Sequence, residues 1–535
     1  MNAEPDASPA RDEQRAQPAI GAGLAPARTA RPIRLGERIH VVGVAGAGAS
    51  AAALLGRHAG GEMSGCDPGG PSPYTAAVEA SGIPISWRHD AEHVRRDPRP
   101  DRLAVTKALT AIEPDHPELA AAREAGIPVE AWQQVVADAA AGRRLVAVAG
   151  THGKSTTSGW LVHVLTAAGA DPSAFVGALL GPDITGAGPA TARWGGGDAF
   201  VVEADEYAGN FDPYLPDVAI LTSLEWDHPD VFADVEAVGA AFEAWLRRAT
   251  AGGRRTDIVA NVGDPNVAGL CRRLGPDWQG DVVTAALADD GDEPLETVVA
   301  RIAPARPAGP PGRALVGRIT RSDGRGTGLA LHGPLLLDGE RSVDLTVSGR
   351  HNAANALCVL GVALQLVPRA AHERVLEALG SFAGVGRRLE RKGAARDVVV
   401  YDDYAHHPTA IRLTIDALRQ REPGRRLWAV YEPLTFHRTA AMLDEFGAAL
   451  ATADAAVIAD IWAGRDRDTT VTSPGAVADA VARRRPDVVT AAPGSVEATA
   501  AWLASRVRAG DAVLVMGGGR SYRIGELLLE ALRGA

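Results

Sequence analysis

Short apolar runs rich in β-branched residues recur along the chain, and helical-period stretches follow them. Ile39 to Val44 reads as a buried strand; a glycine-rich turn, an alanine- and leucine-rich helix and a second strand ending at Asp67 come next. "RLAVTKAL" predicts a strand with a loop, "HPELAAAREAG" a helix, "IPVEAW" a strand and "QQVVADAAAG" a helix that runs into a basic linker, Arg143 and Arg144. "LVAVAG" is a β-branched run suited to a buried parallel strand, and the helix after it carries Trp160, Leu161, Val164 and Leu165 on its apolar positions. "DAFVVEADEY" and "PDVAILTSLEWDHPDVF" add two more apolar strands with acidic ends. A further βα array runs through "ARDVVVYDDYAHHPTAIRLTIDALR", "RRLWAVYEP", "DAAVIADIWA" and "DAVLVMGGGRSY". The alternation predicts an α/β protein of three domains, at 37–142, 143–382 and 383–535. The first 36 residues lack periodicity and an apolar leader core, and are expected to form a disordered tail.

Composition narrows this picture little, but in useful directions. A chain of 535 residues is too long for one core, which supports several domains. Its net charge of −11 argues against nucleic acid or an anionic membrane as the main partner. No apolar run reaches membrane-spanning length. Cys66, Cys271 and Cys358 are far apart in sequence and odd in number, so a reducing, cytoplasmic setting is expected. Only Lys107, Lys154 and Lys392 are lysines among the 55 cationic side chains, so a lysine inside a phosphate-loop pattern is less easily a chance event.

Two glycine turns carry candidate chemistry. Gly46, Gly48 and Ala51 fit a G-x-G-x-x-[G/A] fingerprint, with Asp67 where a ribose-binding acid would sit. Any nucleotide diphosphate satisfies that physics, and so does a tight strand-to-helix turn without a ligand. The second turn, "GTHGKSTT", follows a strand and opens a helix, as a phosphate loop requires. Its backbone N–H groups can cradle phosphate oxygens, Lys154 can neutralise them, and the Ser155 hydroxyl suits Mg²⁺. Val148 stands where the general pattern has its first glycine, so the loop is a shorter variant beginning at Gly150. Glu203, Asp205 and Glu206 end one neighbouring strand; Glu225, Asp227 and His228 end another. Glu203 and His228 are candidate magnesium ligands on the ligand-binding edge of such a sheet.

"GTHGKSTT", "VVEADEY", "LEWDHPDVF", "SGRHNAANAL", "GVGRRLE", "YDDYAHHPTAI" and "EPLTFHRT" occur in the order seen in Mur ligases, which this chain resembles over roughly residues 37 to 530. The resemblance implies a Rossmann-like N-terminal domain for a UDP-sugar, a central P-loop ATPase-like parallel sheet for ATP, and a Rossmann-like C-terminal domain for nucleotide and amino acid. It further implies that Gly150, Thr151, His152, Gly153, Lys154, Ser155 and Thr156 hold the ATP phosphates, and that Ser155, Glu203 and His228 hold Mg²⁺. Asn352 and Asn355 would face adenine, Arg388 would reach the nucleotide from the last domain, and Asp402 and Asp403 would sit by ribose. His406, His407 and Arg438 would contact substrate, Arg438 by gripping an amino acid's carboxylate. Gly46, Gly48 and Asp67 would then serve the UDP moiety. Lys154, Glu203, His228 and Arg388 are the expected catalytic group.

The resemblance implies ATP-dependent amide formation in peptidoglycan precursor synthesis, through an acyl phosphate. "HRT" and "HHP" look like the branch that adds L-alanine to UDP-N-acetylmuramate; "EADEY" and "LEWDHPDVF" look like the branch that adds a preformed tripeptide. Leu434 stands where family members often have histidine, with His437 three residues on, and "AVTKALTAIEPDHPEL" replaces a loop that usually carries a serine pair. Neither Lys107 nor Lys392 matches the modified lysine of some sister ligases, which fits the alanine-adding branch. The expected protein is a monomer or weak homodimer with no nucleic-acid partner and no membrane insertion.

Overall fold

The first βα array closes into a five-stranded sheet in the computed structural model, which describes residues 20–275, 277–289, 291–303, 313–336, 339–464, 466 and 468–534. Strands β1 (Arg38–Val42), β2 (Glu62–Cys66), β3 (Ile85–Ser86), β4 (Arg102–Val105) and β5 (Val129–Ala131) lie in the order β3-β2-β1-β4-β5. Every neighbouring pair is parallel. The loop expected after β4 is instead a helix, Lys107–Ile112, built from good helix formers. Its first residue, Lys107, donates to the carbonyls of Ala208 and Gly209, both at 2.8 Å, and so ties this domain to the next.

Residues 20–36 correct the expectation of a disordered tail. Arg28 donates from Nε to Glu130 at 2.9 Å and from Nη2 to Asp138 at 2.7 Å. Arg31 forks onto Glu37, and the Ala25 N–H donates to the Val129 carbonyl at 2.8 Å. Glu37, Glu130 and Asp138 are all buried, with Arg102 among them, and buried carboxylates need cations. The Pro- and Arg-rich composition therefore encodes a strap held by ion pairs and lacking any helical or strand period. The expectation for residues 1–19 lies outside the described residues.

The central sheet has ten strands: β6 (Arg144–Ala149), β7 (Ser173–Leu180), β8 (Ala190–Arg193), β9 (Ala199–Ala204), β10 (Val218–Leu221), β11 (Asp257–Asn261), β12 (Val282–Leu287), β13 (Arg313–Asp323), β14 (Gly326–His332) and β15 (Arg341–Leu345). Their order is β15-β14-β13-β12-β11-β10-β6-β9-β7-β8. The run from β13 to β7 is parallel, as expected, while β8, β14 and β15 extend its edges antiparallel. On β6, Val146 and Val148 pack with Trp160, Leu161 and Val164, whereas Ala147 and Ala149 face the core on the other side. Alternation on a strand buried on both faces makes the whole run apolar. That second core continues into the N-terminal domain, where Trp132 meets Phe175 edge-on at 5.2 Å.

The third sheet contains β16 (Glu390–Ala395), β17 (Val398–Asp403), β18 (Arg426–Glu432), β19 (Ala455–Ala459), β20 (Val489–Gly494) and β21 (Asp511–Gly517), in the order β16-β17-β21-β18-β19-β20. All pairs but β16–β17 are parallel. The segments after β6, β9 and β10 and those after β17 and β18 line common space between the two domains. Among the described residues, no helix is long and apolar enough to cross a membrane.

Candidate active site

The turn after β6 owes its path to two glycines. Gly150 has φ 141° and Gly153 φ 81°, where L side chains are strained. A Cβ on Gly150 would stand 2.1 Å from Thr222 Oγ1, and one on Gly153 2.7 Å from Asn355 Oδ1. Thr151 and His152 donate their N–H groups to the Ser223 carbonyl and hydroxyl, at 3.0 and 2.9 Å, which pins the loop to the end of β10. Gly153 starts the helix Lys154–Ala167 without a side-chain cap, so the first-turn N–H groups are left for oxygens from outside. Lys154 Nζ lies over this loop, 2.7 Å from the Gly150 carbonyl, 2.9 Å from Glu206 and 3.4 Å from Asp205. Burial opposes its charge, but Glu206 and Asp205 prevail and hold the ammonium above its ordinary pKa.

The expected metal set divides into two groups. The Ser155 hydroxyl donates to Glu203 at 3.0 Å and accepts from Arg388 Nη2 at 2.9 Å. Glu203 also accepts the Gly177 N–H at 2.6 Å; burial nonetheless pushes its pKa up against the pull of Arg388. His228 falls instead with Asp205 and Glu206, whose ligand atoms and its own lie within 4.8 Å of one another. The backbone at His228 is left-handed, φ 56°, and its N–H meets its neighbour Asp227 at 2.6 Å.

Arg438 is paired within the protein. It is only 3% exposed, pairs with Asp227 at 2.7 Å and donates to His228 Nδ1 at 2.9 Å. The pair orients that loop at the wall of the smaller cavity. Burial would raise the Asp227 pKa, but His228 and Arg438 overcome it and keep the carboxylate ionised far below the usual range.

Two adjoining cavities, of about 540 and 360 Å³, share His152, Gly153, Arg388 and Ala410. Asn352, Asn355 and Asp403 line the larger one; Lys154, Ser155, His228, His406, His407 and Arg438 line the smaller. Asn355 donates to Asn352 at 3.4 Å, and Asn352 to the Ser348 carbonyl at 2.7 Å. Asp403 accepts the N–H groups of Leu389 and Ala405 at 2.6 and 2.7 Å, yet burial raises its pKa to about 6. Asp402 is turned away onto Arg387 at 3.0 Å.

The three histidines differ in which nitrogen is free. His407 caps its helix, with Nδ1 accepting from Thr409 and Nε2 donating to the Trp226 carbonyl at 3.1 Å, so both nitrogens are committed. His228 Nδ1 is occupied by Arg438. His406 donates from Nδ1 to the Tyr404 carbonyl at 2.9 Å, which leaves the Nε2 lone pair facing other partners. Burial, with Arg438 nearby, drives the His406 pKa well below its ordinary value, so the ring is neutral.

Gly46, Gly48 and Asp67 lie outside both cavities, in the N-terminal domain. A Cβ on Gly48 would stand 2.2 Å from the Trp132 ring, so this glycine answers helix packing. Asp67 braces the turn itself, accepting the Ala45 N–H at 3.1 Å and the Gly69 N–H at 2.9 Å. Sequence reasoning missed the pairing of Asp205 and Glu206 with Lys154, the Asp227–Arg438 pair, and Tyr404, over which Arg388 lies at 5.2 Å. The acidic run "EADEY" was a signal for the first; a tyrosine stacked under an arginine left none.

The sequence matches the descriptions "Mur ligase family, catalytic domain" over residues 38–144, "Mur ligase middle domain" over 148–292 and "Mur ligase, glutamate ligase domain" over 387–519. A curated relative from Frankia casuarinae, named UDP-N-acetylmuramate–L-alanine ligase, is 36% identical over 525 residues, spanning 93% of this chain and 98% of its own. Two solved structures share the three-domain fold. A UDP-N-acetylmuramate–alanine ligase from Thermotoga maritima has TM-score 0.70 at 23% identity, covering 93% of this chain and 99% of its own. A murein peptide ligase from Psychrobacter arcticus has TM-score 0.67 at 24% identity, covering 94% and 99%. With three sheets in this order, a phosphate loop under an arginine from the last domain, and a relative alike over nearly its whole length, the chain belongs to the Mur ligase family.

Proposed function

We propose that the chain is an ATP-dependent ligase that joins L-alanine to the lactyl carboxylate of UDP-N-acetylmuramate, giving ADP and phosphate through an acyl phosphate. The observation that carries this reading is the meeting of Arg388 with Ser155 beside Lys154: cations from two domains converge on one glycine loop at a helix N-terminus. The L-alanine assignment rests on the names of the full-length relatives. In this reading the N-terminal domain takes the uridine nucleotide, and a reaction that consumes ATP and a nucleotide sugar belongs in the cytoplasm.

Phosphoryl transfer needs alignment and compensation of charge on the transferred group. Gly153 and the first helical turn, Lys154 to Thr156, supply N–H groups, and Lys154 moves its ammonium from Glu206 to the phosphate oxygens. Arg388 supplies a second cation from the opposite side, and closes the cavity against water that would hydrolyse the activated acid. The larger cavity takes the nucleoside, with the Asn352 and Asn355 amides toward the base and Asp403 by the ribose. Ser155 and Glu203 offer hard oxygen donors side by side, a set that fits Mg²⁺, and the Asp205 and Glu206 carboxylates beside His228 offer further oxygens. Bound there, the cation would screen phosphate charge and orient the attacking oxygen.

The amine of L-alanine enters from the smaller cavity. Its nitrogen becomes acidic as it bonds to the acyl carbon, and a neutral imidazole then suffices to take the proton. His406 is the residue for that step, because its Nε2 is the lone pair left free among the three histidines.

Phosphate release from ATP should be followed with UDP-N-acetylmuramate and either L-alanine or L-alanyl-γ-D-glutamyl-meso-diaminopimelate. L-Alanine should drive turnover. Release with the tripeptide alone, or with neither, would overturn the assignment.

A further inference from the structure

A second constellation lies in the N-terminal domain, away from the cavities between the other two. His40 on β1, Cys66 at the end of β2, His93 and Glu118 bring four ligand atoms within 4.8 Å of one another. Glu118 has no exposed side chain, and His40 and Cys66 are buried. Cys66 Sγ lies 3.4 Å from His40 Nε2 and 3.1 and 3.2 Å from the two Glu118 oxygens. His40 Nε2 is 3.4 Å from Glu118 Oε2, and His93 Nδ1 is 2.8 Å from Glu118 Oε1.

We propose that His40, Cys66, His93 and Glu118 form a structural site for a zinc-like divalent ion. A tetrahedron with bonds of about 2.0–2.3 Å has edges of about 3.3–3.7 Å, close to most of the separations here. One sulfur, two imidazole nitrogens and one carboxylate select a borderline-soft cation over Mg²⁺ or Ca²⁺, which prefer oxygen alone. The tautomer is also prepared. His40 Nδ1 lies 2.8 Å from the Ser64 hydroxyl, and an Nδ1–H donated there presents Nε2 to the cluster. A ligand histidine is oriented by its other nitrogen in this way.

The surroundings are consistent with a further histidine shell. His89 Nδ1 lies 3.2 Å from the same sulfur, and its ring meets His116 edge-on at 4.3 Å. His116 is fully buried, and neither of its ring nitrogens has a hydrogen-bond partner among the described residues. Without a cation the sulfur is a thiol donating to Glu118; a bound divalent ion replaces that proton.

The placement gives the site a job. The Cys66 carbonyl accepts the N–H groups of Gly43 and Val44 at 2.9 and 3.1 Å, and the next residue, Asp67, holds Ala45. A metal here would tie β1, β2, the 88–93 segment and the helix Pro117–Glu124 to the glycine turn.

The full-length chain should be purified with a non-metal affinity tag and without chelator, and its metals measured by inductively coupled plasma mass spectrometry. About one zinc per chain is expected. After stripping, Co²⁺ added alone should give a thiolate-to-cobalt charge-transfer band. C66S should abolish that band; H93Q, on a partly exposed residue, should weaken metal retention even if C66S folds poorly. C271S and C358S should leave both signals intact. No zinc above background in the wild-type protein together with no charge-transfer band on cobalt addition would overturn the site, as would a band that persists in a folded C66S protein.

Discussion

Arg388 Nη2 of the C-terminal domain stands 2.9 Å from the Ser155 hydroxyl of the central domain's phosphate loop. The contact places a guanidinium where charge gathers during phosphoryl transfer, and the same guanidinium lies over the Tyr404 ring. R388A should lower kcat by about 10²–10³-fold with a smaller change in the KM for ATP, because the interaction is worth most in the transition state. Steady-state phosphate release checks this; an effect on KM alone would place Arg388 in ground-state binding.

Lys154 is held by Glu206 and Asp205 before any nucleotide arrives. K154A should reduce phosphate release by at least about 10²-fold. Because Glu206 is buried, the same variant also strands a carboxylate, so thermal denaturation should show a loss of stability. Calorimetric titration with a non-hydrolysable ATP analogue separates the two effects, since a folded K154A protein should bind it more weakly.

The strands that build this site were legible because they are buried on both faces: "LVAVA", "AFVV" and "VAIL" each read as a continuous apolar run and each lies in a parallel strand. The phosphate loop was legible because its glycines, lysine and serine are adjacent in sequence. What stayed hidden were relationships across long sequence separations. Arg438 and Asp227 are 211 positions apart in sequence, and nothing local says that the arginine is spent on a carboxylate. The strap at 20–36 was misread for the same reason, since its partners Glu130 and Asp138 lie about a hundred residues away.

The Arg438–Asp227 pair is nearly solvent-free on both sides, 3% and 6% exposed in the side chains. Removing one partner leaves the other charge buried, at a cost of about 3–5 kcal/mol. R438A should therefore lower stability as well as raise the KM for the amino acid. The double variant R438A/D227A should lose less stability than the sum of the two single variants, a coupling that a double-mutant cycle in urea measures. Additive losses would mean that the pair does not hold the loop.

His406 offers its Nε2 lone pair because Nδ1 is committed to the Tyr404 carbonyl. H406N should lower kcat by about 10²-fold or more while leaving ATP binding near its wild-type value. A pH–rate profile adds a readout that a packing defect would not move: the acidic limb of kcat should disappear in the variant. An unchanged profile would pass the proton-accepting role to another group.

His407 contributes to the pH dependence of the domain contact. Burial, helped by repulsion from His152, lowers its pKa to about 4, while an unfolded histidine titrates near about 6.5. Between those values the unfolded chain binds more protons, so the stability this histidine permits is complete above about pH 6.5 and is lost as the pH falls toward 4. At pH 5 the loss approaches about 2 kcal/mol. Asp403, raised to about 6 by burial, acts in the opposite sense between about pH 4 and 6 and partly masks the effect in the native protein. H407N keeps a helix-capping side chain and removes the titration. Its apparent stability should fall less between pH 7.5 and pH 5 than that of the wild type, as urea denaturation at the two pH values would show. An equal fall would mean that the imidazole is charged in the folded protein, and the hydrogen bond from Nε2 to Trp226 would then be joined by a second proton on Nδ1 that breaks the cap to Thr409.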